Sequence, residues 1–202
     1  MKFHHPSIAE SRRFRGLQAF LLAALLAVVG LLARAEGVEL TLSTQRAEDG
    51  LNLSYSTRFE LPRSADDALL KGVPIYFTVE AQVFRNRWYW RDARMNKASR
   101  TWRLAWQPLT RQYKVSSGGL NQSYNSLAEA LAVIRDTAGW RIAEPKELED
   151  SGSYYLEFSF RLDTSQLPRP MQIGLGAPQG WGLAIERTVQ LNPDFSIRAA
   201  AN

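Results

Sequence analysis

The sequence IYFTVEAQVFR at residues 75–85 predicts the central strand of the fold, because its side chains alternate between an apolar and a more polar face. The apolar face carries Ile75, Phe77, Val79, Ala81 and Val83. A period of two is typical of a β-strand with one buried face. The segments TWRLAWQ at 101–107 and RQYKVS at 111–116 repeat the pattern. Because the connections are too short for parallel crossovers, we predict three consecutive antiparallel strands.

The same alternation predicts strands on both sides of this centre, at residues 38–43, 51–61, 140–143, 154–164 and 184–191. The first two form a hairpin around Asp49 and Gly50. One helix is predicted at residues 127–137, where Ser126 and Glu129 form a capping box. Since strands and helices do not alternate, we expect a mainly β fold: an antiparallel β-sandwich, immunoglobulin-like or similar, with one packed α-helix and an N-terminal signal or anchor helix.

Three shorter features complete the prediction. Residues 65–71 read as one or two helical turns with Ser64 as the N-cap. Residues 121–125 read as a polar loop after a glycine pair, and residues 192–202 as a flexible tail.

Residues 1–35 contain the three parts of a secretory signal peptide. A basic segment precedes the apolar run LQAFLLAALLAVVGLL at 17–32, and Ala33 and Ala35 supply the small residues of a cleavage site. We therefore expect Sec-type export to the periplasm and a single β-rich domain at residues 36–191. An uncleaved inner-membrane anchor facing the periplasm is the alternative, and it is the only membrane contact we expect. The Arg12–Arg13 pair also raises a twin-arginine route.

The position of the charges argues against a nucleic-acid partner. Residues 1–35 contain five basic residues and one acidic residue, so they account for four of the five net positive charges of the 202-residue chain. The remainder is nearly neutral and has little excess charge to displace counterions from phosphates.

The chain has no cysteine, and both histidines, His4 and His5, lie in the predicted leader. Once the leader is removed, a Ser-His-Asp triad, a cysteine nucleophile and the Cys/His zinc sites are excluded. We therefore expect no cofactor, no metal and no catalytic residues.

The candidate binding residues form an aromatic–basic cluster, which we define as Arg87, Trp88, Tyr89, Trp90, Arg91 and Arg94. Flat rings and guanidinium groups at a surface stack on sugars, bind lipid phosphates or anchor a protein partner. The alternative is that Trp88 and Trp90 fill the core, since tryptophan is usually largely buried.

Two further polar positions allow both a functional and a structural interpretation. Arg111 stands at a strand entrance, where it either binds an anion or pairs with an acid on a neighbouring strand. Asp163 ends a strand, and capping of its own turn is the favoured role. Among carboxylates, Glu80, Glu157 and Asp92 are the candidates for a glycosidase-like pair, although no spacing selects any two of them.

Several strings together resemble one family. They are GVPIYFTVE at 72–80, RNRWYWRD at 85–92, PLTRQYKVSSGGL at 108–120, SLAEAL at 126–131 and RLDTSQLPRPMQ at 161–172. In these strings the chain is similar to the exported proteobacterial family known only as domain of unknown function 4390. The resemblance implies no activity, cofactor or catalytic residue. It does imply a link to envelope signalling, because such proteins are often encoded beside a membrane histidine kinase.

The sequence therefore predicts a non-catalytic envelope protein that binds another protein, with a sensor kinase as the partner that the resemblance implies. A periplasmic module that binds a glycan or a lipid headgroup is the alternative. A carboxylate-dependent hydrolase is the third reading.

Overall fold

The computed structural model describes residues 39–87, 92–148, 152–167 and 181–198. Their strands are β1 (Glu39–Ala47), β2 (Gly50–Arg58), β3 (Ile75–Arg85), β4 (Ala93–Gln107), β5 (Gln112–Ser117), β6 (Leu120–Tyr124), β7 (Asp136–Ala143), β8 (Tyr154–Leu162) and β9 (Ala184–Gln190). The helices are α1 (Arg63–Leu70) and α2 (Leu127–Arg135), with short 3-10 turns at Pro145–Glu147 and Thr164–Gln166. All strand pairs are antiparallel, in a three-stranded sheet of order β1-β2-β7 and a six-stranded sheet of order β6-β5-β4-β3-β8-β9.

The core lies between the two sheets. The ring of Tyr55 on β2 lies 5.3 Å from that of Phe158 and 6.3 Å from that of Phe160, both on β8 of the larger sheet. Phe59, just after β2, packs 5.6 Å from Phe77 and 5.2 Å from Phe160. These aromatic contacts join the facing sheets, as in a β-sandwich. The predicted mainly β, antiparallel fold is confirmed.

The central strand is predicted correctly by its alternation. β3 has the predicted limits, and the five residues of its apolar face are fully buried. The prediction of three consecutive antiparallel strands is also confirmed, since β3 pairs with β4 and β4 with β5. The hairpin of β1 and β2 is confirmed as well. β8 likewise buries every second residue from Tyr154 to Leu162.

The predicted polar loop at 121–125 is wrong, because residues 120–124 form β6. Gly118 and Gly119 have φ values of 56° and 86°, which fit a two-residue hairpin turn rather than a break in the sheet. Polar residues with weak strand propensity are thus held in a strand by their pairing with β5.

Both helices differ from their predicted limits. α2 ends at Arg135 rather than residue 137, because β7 begins at the next residue and takes up the backbone hydrogen bonds. Pro62 is the N-cap of α1, which has no side-chain capping bond, so the assignment of Ser64 is wrong. Pro62 has a φ of −54° and a ψ of 138°, a non-helical conformation that is typical of an N-cap residue.

The predicted flexible tail is contradicted as far as residue 198. Phe195 is buried between the sheets, where its ring lies 5.0 Å from that of Tyr154 on β8. The Thr44 hydroxyl on β1 donates a 2.6 Å hydrogen bond to the Phe195 carbonyl. Leu191 and Ile197 form a bridge that folds the segment back on itself. We call residues 192–198 the C-terminal strap.

The predicted leader at residues 1–35 lies outside the described residues. In the ranges that are described, neither helix has the length and apolar character needed to cross a membrane.

Candidate functional site

The unequal size of the sheets leaves part of the larger one to be covered by other elements. The three-stranded sheet faces the centre of the six-stranded sheet, and α2 lies over the β5 and β6 side. Between α2 and this side of the sheet is a groove of about 370 Å³, which we call the β6 groove. It is lined by Arg100, Trp102, Val115, Leu120, Gln122 and Val133, among others. The groove is therefore mainly apolar, with one cationic side chain.

Arg100 supplies the charge in the β6 groove. Its guanidinium carbon lies 5.2 Å from the ring centroid of Trp140 and 5.8 Å from that of Trp102, within cation–π distance of both. Within the described ranges, no acidic side chain forms an ion pair with Arg100. The two rings thus hold a cation whose hydrogen-bond donors remain available for an anion.

Tyr55 lies near Arg100 but outside the lining of the β6 groove. Its hydroxyl donates a 3.4 Å hydrogen bond to the Ile134 carbonyl on α2. Burial raises the pKa of Tyr55, while the nearby side chains of Thr137 and Trp102 and the positive charge of Arg100 act to lower it. The buried Trp102 N–H lies near this hydroxyl but does not reach good hydrogen-bonding geometry. Because that nitrogen has no access to solvent, it does not contribute to ligand binding in the groove.

β6 forms one edge of the six-stranded sheet and one wall of the groove. In the two-residue hairpin with β5, Ser117 pairs with Leu120, Val115 with Gln122 and Tyr113 with Tyr124. A two-residue loop makes its flanking pair a hydrogen-bonded one, and such pairs alternate along an antiparallel ladder. The backbone N–H and C=O groups of Asn121 and Ser123 therefore point away from β5. Among the described residues no further strand pairs with these groups, so they are available to one.

The structure describes only the ends of the aromatic–basic cluster. Trp88, Tyr89, Trp90 and Arg91 lie outside the described residues, so their binding role stays a prediction. Arg87 is exposed beyond the end of β3, and Arg94 is exposed near the start of β4, where it pairs with Phe84.

Hydrogen bonds fix the described residues on either side of positions 88–91. The Arg87 backbone N–H donates to Asp92 Oδ1 over 3.1 Å, and the Tyr155 hydroxyl donates to Asp92 Oδ2 over 3.1 Å. Asn86 bonds to Ser153 through both its backbone and its side chain. Burial and the nearby Asp92 carboxylate raise the pKa of Tyr155. Asp92 thus has a structural role beside the aromatic–basic cluster.

Arg111 is not brought together with the cluster. It is exposed, with a φ of 52°, in the turn that follows the far end of β4. β4 has 15 residues. At about 3.3 Å per residue its ends are roughly 45 Å apart. The expected ion pair with a neighbouring strand is not formed with any of the described acidic residues.

Asp163 has the predicted capping role. Its Oδ1 accepts bonds from the Ser165 backbone N–H at 3.1 Å and hydroxyl at 2.6 Å, and its Oδ2 accepts from the Thr78 hydroxyl at 3.2 Å. Burial acts to raise the pKa of Asp163, but hydrogen bonds from Ser165, Gln166 and Thr78 outweigh it and lower the pKa.

The candidate carboxylates of a hydrolase lie on the outer face of the larger sheet. Glu80 is ion-paired with Lys97 at 2.9 Å and with Arg161 at 3.5 Å, across both neighbouring strands. Glu80 and Glu157 line a shallow, mostly polar depression together with Arg161 and Arg187. In the described ranges, no three His, Cys, Asp or Glu side chains come together as a metal site.

Sequence reasoning missed Arg100 and β6. The aromatic–basic cluster is predicted from aromatic and basic residues that are adjacent in the sequence. Arg100 and Trp102 instead come together because alternate residues of β4 share a face. That period-two relation, Arg100–Trp102–Leu104, was the signal available.

Comparison with known proteins identifies the family of the chain but no specific function. No curated protein and no solved structure matches the chain. The family model for a domain of unknown function, DUF4390, matches residues 36–191, which include all nine described strands. The chain belongs to the DUF4390 family.

Proposed function

We propose that this protein is a non-catalytic interaction domain of the cell envelope, which binds an extended segment of a partner protein along β6. The observation that carries the proposal is the exposed, uncharged edge of β6. In β-strand addition, the main chain of a peptide extends an existing sheet and supplies much of the affinity. The backbone groups of Asn121 and Ser123 point in the direction that such a strand needs.

The other sheet edges carry features that discourage pairing. β1 has Glu39 and Arg46 near its ends, and β9 has Glu186 and Arg187 side by side. β7 contains Gly139 with a φ of 62°, and its register with β2 shifts twice. Charges and irregularities are the usual protection of an edge strand. β6 has neither, since its sequence is LNQSY and its five residues pair with β5 in unbroken register.

Placement in the envelope rests on the leader at residues 1–35. The absence of histidine and cysteine after residue 5 supports a role in binding rather than catalysis. A membrane sensor histidine kinase is the first partner to test, because the family resemblance implies it.

A small-molecule binding module is the second candidate, and the β6 groove is the observation that favours it. The volume of about 370 Å³ falls within the range of ligand pockets. A lipid headgroup or a glycan would use Arg100 and the apolar wall, but it would not need the β6 backbone. Blocking that backbone therefore distinguishes the two candidates.

Site-specific crosslinking in intact cells tests the proposal. A photo-reactive amino acid replaces Ser123 on β6 or, as a matched control, Thr188 on the β9 edge, and crosslinked proteins are identified by mass spectrometry. We expect a defined envelope protein at position 123 that is absent at position 188. Recovery of no envelope protein above background at position 123, or of the same proteins at both positions, would count against strand addition at β6.

A further inference from the structure

We infer that the partner segment bound along β6 carries an acidic side chain, which enters the β6 groove and pairs with Arg100. The inference rests on the proposed function, because it specifies the chemistry of the segment that β6 binds. It makes Arg100 a specificity-determining residue.

Strand alternation connects the β6 edge with the groove. Leu120 and Gln122 are alternate residues of β6, and both line the groove. A strand added beside β6 would direct alternate side chains to the same face. Two such side chains are about 6.6 Å apart along the strand. Successive same-face residues of the partner segment are therefore directed to the side of the sheet on which the groove lies.

The charged part of the groove requires an anion. The Arg100 guanidinium lies within cation–π distance of the rings of Trp140 and Trp102 and has no acidic partner in the described ranges. A partly buried guanidinium gains most from a carboxylate, with which it forms two parallel hydrogen bonds. Because the two rings restrict its position, less conformational entropy is lost on binding. An acidic side chain is the complementary group that a peptide offers.

The rest of the groove is apolar. Val115 of β5, Leu120 of β6 and Val133 of α2 contribute aliphatic surface to it, and Leu120 is 76% exposed in the unbound protein. Burial of an aliphatic side chain here removes apolar surface from water. The matching segment therefore has an acidic and an aliphatic residue two positions apart, without proline where its backbone meets β6.

An amphiphile with a carboxylate and an alkyl chain has the same two chemical features. It would not hydrogen-bond to the outward N–H and C=O groups of Asn121 and Ser123. We favour the peptide because only an extended backbone uses both the edge and the groove.

A displayed library of random heptapeptides, selected against the full chain, tests the inference. The variants are Arg100→Gln, Arg100→Lys, Ser123→Pro, and the control Arg103→Gln, which changes an arginine on the opposite face of β4. Proline at position 123 removes an outward N–H and leaves the β5 ladder intact. Circular dichroism and thermal unfolding establish that each variant is folded, and Arg100→Lys retains the charge if Arg100→Gln is not folded.

We expect wild-type protein and Arg103→Gln to select peptides with Asp or Glu two positions from an aliphatic residue. Arg100→Gln should lose this enrichment, Arg100→Lys should keep it in weaker form, and Ser123→Pro should select nothing. For a selected, fluorescently labelled peptide, Arg100→Gln should raise Kd at least tenfold, and Arg103→Gln less than twofold.

The experiment distinguishes failure of the acidic anchor from failure of strand addition at β6. If Ser123→Pro abolishes binding but Arg100→Gln retains wild-type preference and affinity, or Arg100→Lys used in its place retains wild-type affinity, the acidic anchor is wrong and strand addition at the β6 edge remains. If Ser123→Pro binds the peptides normally, strand addition at β6 is wrong, and so is the acidic anchor that depends on it. Selection of no motif by the wild-type protein, or saturable binding of labelled dodecanoate that Ser123→Pro does not affect, overturns the peptide as the occupant.

Discussion

Gly50 at the start of β2 has a backbone conformation that side chains rarely adopt, with a φ of +128°. A Cβ atom at this position would overlap the carbonyl oxygen of Ala143 on β7. We expect Gly50→Ala to lower the free energy of unfolding by about 3 kcal/mol, from backbone strain and overpacking together. Gly72→Ala is the matched control, because its φ is +87° but no atom lies within 4 Å of the added Cβ.

For Gly72→Ala we expect a loss of about 1 kcal/mol from the left-handed conformation alone. Urea unfolding monitored by tryptophan fluorescence measures both variants. Equal losses for the two would show that strain at the β2–β7 contact is relieved by movement of the strands.

The pH dependence of stability should report on Asp163. Because its pKa is lowered in the folded protein, the charged carboxylate stabilises the fold above the unfolded-state pKa, which is about 4. This contribution is lost as pH falls from that value through the lower folded-state pKa. We expect Asp163→Ala to reduce the free energy of unfolding by about 1 kcal/mol at pH 7, as for loss of a capping side chain.

The difference between wild type and Asp163→Ala should then narrow below about pH 4. Urea titrations from pH 7 to pH 3 measure it, with Asp67→Ala on the exposed side of α1 as the control. A difference that stays constant over this range would show that the carboxylate charge contributes nothing.

At the scale of elements, α2 and α1 begin with different N-caps. In α2 the Ser126 hydroxyl oxygen accepts a 3.2 Å bond from the Glu129 N–H, whereas Ser64 in α1 makes no capping bond. We expect Ser126→Ala to cost about 1 kcal/mol and Ser64→Ala to change stability by less than about 0.5 kcal/mol. Thermal unfolding of both variants checks this, and a larger effect at Ser64 would contradict the assignment of Pro62 as the N-cap.

Strands in which apolar residues alternate strongly could be predicted from the sequence. A strand that is held in place only by pairing with a neighbouring strand could not. The limits of β3 follow from its own side chains, since five alternate residues are fully buried. β6 has no buried residue, so its hydrophobic pattern contains no strand signal. For the site, the sequence directs attention to Trp88 and Trp90, whereas the described groove depends on Arg100 meeting Trp140 across the sandwich. Such long-range contacts follow from topology, which local periodicity does not specify.

For the whole molecule, the unequal size of the two sheets explains where a binding site can form. The three-stranded sheet and α2 together cover a sheet of six strands. Full coverage would leave no groove, while α2 covers its part of the sheet through Leu131 and Ile134, which are buried. The groove is therefore the part of the larger sheet that its covering elements leave open.

The C-terminal strap closes the sandwich at another position and comes after the residues matched by the family model, which end at 191. Phe195 is 1% exposed and contacts β8 through Tyr154 and β1 through Thr44. Because it joins both sheets, we expect Phe195→Ala to lower the free energy of unfolding by about 3–5 kcal/mol. Leu109→Ala, at a fully exposed turn position, should change it by less than about 0.5 kcal/mol. Urea unfolding measures both variants, and a loss below about 1 kcal/mol for Phe195→Ala would show that the sheets hold together without the strap.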